Sequence, residues 1–325
     1  MNAPEKAVTM VDELVAATKD SSVRRILVRG DLTGAPSVRL APGQSLRGDG
    51  DRGGITFADG TDGLQLSSDN RIHAIHLHAS PDRSGAPVLG SGIFVSGAGF
   101  KGGRLVVSRL ETGAIYSDGK IAPGTPDQIT GGVFTVYNAH VDIVRNRGPV
   151  VTYGVNDMVL DNWGFVDRWI AEEKITSYGP SGIGFVNFGI MNELRVNAPI
   201  ETFGQGARGF NVYSGTVNLA EFDRVTTHAD GAVGIQISQP IGRLVVRRGI
   251  ETFGGTGQSL VKGVVMPLSA IGLSVKPGGS AREVDISGGI KTNGSGVPPI
   301  EQHGAIESLR IAGGCVAAGG GFDKI

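Results

Sequence analysis

The chain has 325 residues with a formal charge of −1; 53 are glycine, 19% are charged and 6% aromatic. Glycine without a strict triplet excludes collagen, and a 40% hydrophobic fraction at almost zero net charge excludes a disordered chain. No apolar run approaches the roughly twenty residues of a membrane span, and no basic excess serves nucleic acid or an anionic membrane. The composition describes a soluble globular protein with one large core and an unusual demand for tight turns. Cys315 is the single cysteine, so no intrachain disulfide forms.

The N-terminal MNAPEKAVTMVDELVAATKD carries acidic residues and no apolar signal core. The default compartment is cytoplasmic, or secreted if a signal peptide has been removed. Residues 3–19 hold the one helical pattern, with Val8, Val11, Leu14, Val15 and Ala17 largely on one face. A capping helix is therefore expected within residues 1–23, and an all-β domain over 24–325. After Arg24 the chain reads as apolar runs of three to six residues, split by Gly, Asn, Asp or Pro.

These runs repeat. Ile200-Glu-Thr-Phe-Gly204 recurs as Ile250-Glu-Thr-Phe-Gly254, with Val225-Thr-Thr-His-Ala229 midway between them. Steps of 25 backwards give Ile175-Thr-Ser-Tyr-Gly179 and Val150-Val-Thr-Tyr-Gly154; a longer step forwards reaches Ile290-Lys-Thr-Asn-Gly294. About 25 residues accommodate three short strands and three turns. Such a unit cannot bury its own apolar face, so neighbours stack strand on strand in parallel. The register places Tyr153, Tyr178, Phe203, His228 and Phe253 above one another, and the expectation is an aromatic ladder filling the interior.

The N-terminal part adds Ile26-Leu-Val-Arg-Gly30, Val38-Arg-Leu-Ala-Pro-Gly43, Ser45-Leu-Arg-Gly-Asp-Gly50, Leu64-Gln-Leu66 and Ile72-His-Ala-Ile-His-Leu77. With the preceding helix these resemble the entry pattern of the right-handed parallel β-helix of the pectate lyase-like superfamily. The resemblance implies a single-stranded right-handed parallel β-helix of roughly ten coils, and a sugar-binding groove along one sheet. It says less about chemistry. Val159-Leu-Asp-Asn162 resembles the strand that carries a calcium-binding Asp in pectate lyases, with Asp161 at the Asp position and Asn162 replacing a His. Arg147-Gly-Pro149 resembles half of the lyase Arg element, but Thr152 stands where its second Arg belongs. Calcium is a possible cofactor on that resemblance alone; otherwise no cofactor is expected.

Asp167-Arg168-Trp169 and Glu172-Glu173-Lys174 interrupt the repeat with a charged stretch of helical character. Neighbouring carboxylates can raise one pKa and create a general acid, whereas a solvated loop with ion pairs is the simpler reading. Thirteen of the 19 aromatic residues lie between Phe134 and Phe222, so a platform for sugar rings or flat apolar ligands is expected there. Trp163, Trp169, Tyr137 and Tyr213 are its candidates, with core positions as the alternative. Among the histidines, His140 in this region is the acid/base candidate. His73, His76 and His78 read as one strand, and His228 as a stacking residue. Gly48-Asp-Gly50 and Gly97-Ala-Gly99 precede no helix, so neither is a phosphate loop; both read as corners.

The leading expectation is a carbohydrate-active enzyme (lyase, hydrolase or epimerase) with its groove over residues 137–230. Asp161, Asp167, Arg168, Arg147 and His140 are its catalytic candidates. Trp163, Trp169, Tyr213, Tyr137, Glu172 and Lys174 are its binding candidates. The partner is a glycan or small-molecule ligand, with no nucleic acid and no membrane. A non-catalytic glycan-binding or scaffold solenoid is the first alternative, and a cytoplasmic enzyme on a small apolar ligand the second.

Overall fold

The computed structural model describes residues 5–58, 61, 63–67, 69–73, 75–78, 93–96, 105–117 and 134–320. Each 25-residue step is one coil of three strands, as in Val225–Thr227, Val233–Ile237 and Pro240–Val246. The strands of the coils pair in parallel with their counterparts one coil away: Ile200 with Val225 and Val225 with Ile250, Phe210 with Ile235, Ala220 with Leu244. The result is a parallel β-solenoid of about nine turns, one fewer than the roughly ten expected. In two coils the strands of two of the three sheet faces merge, into Phe134–Asn146 and Met158–Ala171.

The core follows from alternation. In the three-residue strands Ile175, Ile200, Val225, Ile250 and Ile290 point inward, as do Thr152, Ser177, Thr202, Thr227, Thr252 and Thr292 two positions on. A buried hydroxyl needs a partner. Thr227 and Thr292 donate to carbonyls of their own coil, those of Ala232 and Val297, at 2.6 and 2.7 Å. Leu160, Phe185, Phe210, Ile235 and Leu273 fill the interior from the second face, and Leu194, Ala220, Leu244 and Val284 from the third.

The same alternation corrects the ladder. The rings do stack, with centroids 5.4 Å apart from Tyr153 to Tyr178, 5.0 Å to Phe203, 4.3 Å to His228 and 5.2 Å to Phe253. They lie outside the coil. In Ile200-Glu-Thr-Phe203 the first and third side chains point in, so Phe203 points out with Glu201. The ring faces are occupied by one another, leaving edges to solvent.

Two further expectations change. The helix is Val11–Lys19 rather than 3–19, because Glu5–Val8 is a strand paired in parallel with Arg25–Val28. The Glu13 carboxylate reaches back to the Thr9 N–H at 2.8 Å and closes the helix start. Gln44 Nε2 lies within 3.0 Å of the carbonyls of Ala17, Asp20 and Val23 at its end. The charged stretch 167–174 expected to have helical character is not helical: Asp167, Arg168 and Trp169 continue the strand Met158–Ala171, and residues 172–174 form the connection after it. Of the histidines, His73 and His76–His78 fall on two strands, Arg71–His73 and His76–His78. Gly48-Asp-Gly50 lies within the strand Ser45–Phe57, at the point where its pairing with Arg25–Ala35 shifts register and Gly50 takes positive φ (60°). Gly97-Ala-Gly99 lies outside the described residues.

The long step from Ile250 to Ile290 holds an antiparallel hairpin, Thr256–Val261 with Val264–Ser269. Lys262 and Gly263 make its two-residue turn, both with positive φ (49° and 78°). Ile235 pairs with Leu273, 38 positions on. The hairpin therefore adds about thirteen residues to a 25-residue coil without breaking its pairing. It lies over the corner at Gly206, where a Cβ would sit 2.6 Å from both Gln258 O and Ser259 Cα.

The inside and outside of the coil can be told apart by stability. Phe203→Ala should cost about 1–3 kcal/mol, the worth of two surface ring contacts, and Phe210→Ala about 3–5 kcal/mol as a core truncation. His228→Phe should raise stability slightly, because His228 Nε2 is buried without a hydrogen-bond partner and phenylalanine keeps the stack. Urea unfolding of the three variants checks the order; a larger loss for Phe203→Ala than for Phe210→Ala contradicts it.

Candidate functional site

The outer side of the five-residue strands is covered, although it faces away from the core. Register builds two columns on it. One runs Met158, Ile183, Arg208, Val233; the other runs Asp161, Val186, Asn211, Gln236, Ser274, Glu301. Met158, Ile183, Val186 and Tyr213 form an apolar cluster separate from the main core, with Phe188 and Val261 of the hairpin packed against it. A third column, at the corner towards the seven-residue strands, stacks Trp163 on Phe188 at 3.9 Å and Phe188 on Tyr213 at 5.3 Å.

Asp161 is tied to that stack. Its Oδ2 accepts the Trp163 indole N–H at 2.8 Å, while Oδ1 is buried without a hydrogen-bond partner. Burial pushes the carboxyl pKa up from 3.8 to about 8, against the lowering effect of the indole bond. The group is therefore a neutral acid at neutral pH. With Oδ2 accepting, Oδ1 is the oxygen left to carry the proton. Asp161 turns outward from the sheet, yet it is 1% exposed rather than open to solvent. Trp163 beside it remains 40% exposed.

The other end of the face is basic. Arg208 is fully buried, and Tyr213 gathers two cations: Arg208 Cζ lies 6.0 Å from the ring centroid and Lys262 Nζ 5.7 Å. Asn211 is also fully buried. Arg208 and Asn211 were not among the sequence candidates.

Thus Asp161, Trp163 and Tyr213 come together on one face, with Tyr213 6% exposed and so walled in rather than an open platform. Tyr137 pairs with Trp163 in register; its side chain lies outside the described residues. The remaining candidates go elsewhere. Trp169 is in the core, with its indole N–H donated to Asn146 Oδ1 at 2.8 Å, so it cannot be a platform. Asp167 accepts from Asn192 at 2.7 Å, and Arg168 lies 3.8 Å from Glu193. Arg147 bridges Glu111 and Glu172 at 3.0 and 3.7 Å, and Lys174 binds Glu201 at 2.5 Å. These are surface ion pairs between neighbouring coils, each worth little. His140 stacks on Phe165 at 4.2 Å, with Asp142 3.6 Å from its Nε2. Asn162 points inward and donates to Asn187 Oδ1 at 2.8 Å, so it cannot replace a groove histidine.

Among the described residues no three His, Cys, Asp or Glu side chains come together to hold a metal ion. No described helix is long and apolar enough to cross a membrane. Comparison of the chain with protein-family models, curated proteins and solved structures found no match.

The neutral Asp161 has a signature in folding. Between its unfolded pKa of 3.8 and its folded pKa of about 8 the native state holds a proton that the unfolded chain has lost. Stability must therefore fall as pH rises through this window and level off above it, by a total on the order of 5 kcal/mol. Asp161→Asn keeps an acceptor for Trp163 without the charge. The variant should lack this slope and be the more stable protein at pH 8. Urea midpoints at pH 5 and pH 8 check this; equal slopes for both proteins rule out a protonated Asp161.

Proposed function

We propose that the chain is a carbohydrate-active enzyme working at the Asp161–Trp163 end of the covered sheet face, with Asp161 as general acid and Trp163 as the sugar-stacking surface. The observation that carries this is the pairing of the two. A carboxyl kept neutral by burial is hydrogen-bonded to an indole that stays half-exposed. Glycosidic cleavage, by hydrolysis or elimination, needs a proton for the leaving oxygen, and epimerisation needs an acid to return one. A neutral carboxylic acid at pH 7 supplies it, and an aromatic ring beside it holds the sugar's C–H face. The similarity of Val159-Leu-Asp-Asn162 to the site strand of the pectate lyase-like superfamily supports the same residue and substrate class.

One observation favours a second reading, a non-catalytic glycan-binding or scaffold solenoid. Asp161 is 1% exposed, so a sugar oxygen reaches it only after a neighbouring side chain moves.

The test is turnover of a panel of neutral and uronate polysaccharides, read by new reducing ends and by the ultraviolet absorbance of unsaturated products. Activity on the true substrate should be present below pH 8 and decline as Asp161 ionises above it. Asp161→Asn should lower turnover by a factor on the order of 10² or more while leaving binding intact, and Trp163→Ala should weaken binding. Binding that depends on Trp163, without turnover of any substrate, assigns the second reading instead.

A further inference from the structure

We infer that Arg208 and Asn211 form a binding site for a small carboxylate with a neighbouring hydroxyl, enclosed between the five-residue sheet and the hairpin Thr256–Ser269. Arg208 is fully buried, and its hydrogen bonds are long: Nε to Gln236 Oε1 at 3.4 Å, Nη1 to Gly206 O at 3.3 Å and to Leu260 O at 3.5 Å. Its Nη2 has no partner, and neither does either side-chain atom of Asn211, three residues along the same strand. Among the described residues no carboxylate forms an ion pair with Arg208. A buried cation without a counter-charge is strongly destabilising, and each unsatisfied amide group adds to that cost.

One ligand chemistry satisfies all three orphan atoms. A planar carboxylate presents two acceptor oxygens, one for Arg208 Nη2 and one for Asn211 Nδ2. A hydroxyl on the adjoining carbon donates to Asn211 Oδ1. Tyr213 borders the site, and Lys262, with Nζ 5.7 Å from the Tyr213 ring centroid, adds positive potential. The hairpin is the cover: Ser259 Oγ donates to Gly206 O at 2.7 Å, and the Leu260 N–H to Ser181 Oγ at 3.1 Å. A ligand enters as this cover lifts, which selects a small molecule or a chain end over a polymer interior. The site does not depend on Asp161, which lies two strand spacings away, about 9.5 Å, with Val186 between.

The test is thermal unfolding and titration calorimetry of the whole chain with glycolate, galacturonate, acetate and phosphate. A hydroxycarboxylate at about a hundredfold excess over its Kd should raise Tm by on the order of 5 °C, with acetate weaker and phosphate without effect. Arg208→Met should be more stable than the parent in plain buffer, having lost the unpaired charge, and should no longer respond. Asn211→Leu should fold at least as well and bind about tenfold more weakly or worse, so it carries the test if Arg208→Met does not fold. A response to glycolate identifies a free small acid as the ligand source, and a response to galacturonate alone identifies a uronate chain end; either supports the site. No response to any carboxylate, an undiminished response in Asn211→Leu, or phosphate matching the carboxylates overturns it.

Discussion

Successive coils approach closely at the corner that follows the three-residue strands, and that approach constrains the register of the solenoid. A Cβ built on Gly179 would lie 1.7 Å from Gly154 O, and one on Gly204 1.9 Å from Gly179 O. At these two glycines no side chain fits the gap, so a slip of one residue there would drive a Cβ into a carbonyl; one coil on, the column carries Ala229 and tolerates a methyl group. Just before this corner, backbone bonds cross from coil to coil: Tyr178 N–H to Thr152 O at 2.9 Å, Phe203 N–H to Ser177 O at 2.8 Å, His228 N–H to Thr202 O at 2.9 Å. The exposed ring ladder stacks because those bonds hold its backbones one strand spacing apart. Each coil depends on its neighbours alone, which is why the hairpin Thr256–Ser269 can be inserted without disturbing the strands on either side.

How much of this was legible can be argued from particular residues. The repeat at Val150, Ile175, Ile200, Val225 and Ile250 was readable because a solenoid writes its register as identity at a fixed step. The face on which each column lies is a separate question. Period 25 places Phe203 above Tyr178, but only the alternation within Ile200-Glu-Thr-Phe203 says that the ring points out. Residue type alone points the other way, because large aromatic residues are highly buried on average. The strand Glu5–Val8 was hidden for another reason: its backbone pairing with Arg25–Val28 is a tertiary contact that overrides local helical spacing.

The site shows the same division. Asp161, Trp163 and Tyr213 stand out because of their residue types and local strand context, and they do share one face, with Phe188 stacked between Trp163 and Tyr213. Asp167, Arg168, Arg147, Glu172 and Lys174 stood out as charges, yet strand pairing brings each to a group of opposite charge or a hydrogen-bond donor on a neighbouring coil. Arg208 and Asn211 were missed although the period held the signal. Stepping by 25 from Met158 gives Ile183, Arg208 and Val233, a charge in an otherwise apolar column. In a repeat protein, the residue that breaks its own column says more than a cluster of charges on the surface, because its neighbours already define the environment it enters.

The turn that follows each three-residue strand carries that reasoning one step further. Asn156, Ser181, Gly206 and Gly231 occupy one column and all adopt positive φ, from 56° to 69°. Glycine is at ease there and asparagine tolerates it, but serine in this region costs of the order of 1 kcal/mol or more. The turn alone does not account for Ser181. Its hydroxyl accepts the Leu260 N–H, a contact between residues 79 positions apart, so the strain is offset by anchoring the hairpin. One coil on, the hairpin passes so close that Gly206 can carry no Cβ, and at Gly231 a Cβ would meet Gly257 O at 2.7 Å. Three turns of the same shape thus carry residues dictated by the cover above them. The hairpin seats over Arg208 only where those turns stand in register, so the corner glycines that fix the coil spacing also fix the enclosure around the one buried guanidinium beneath it.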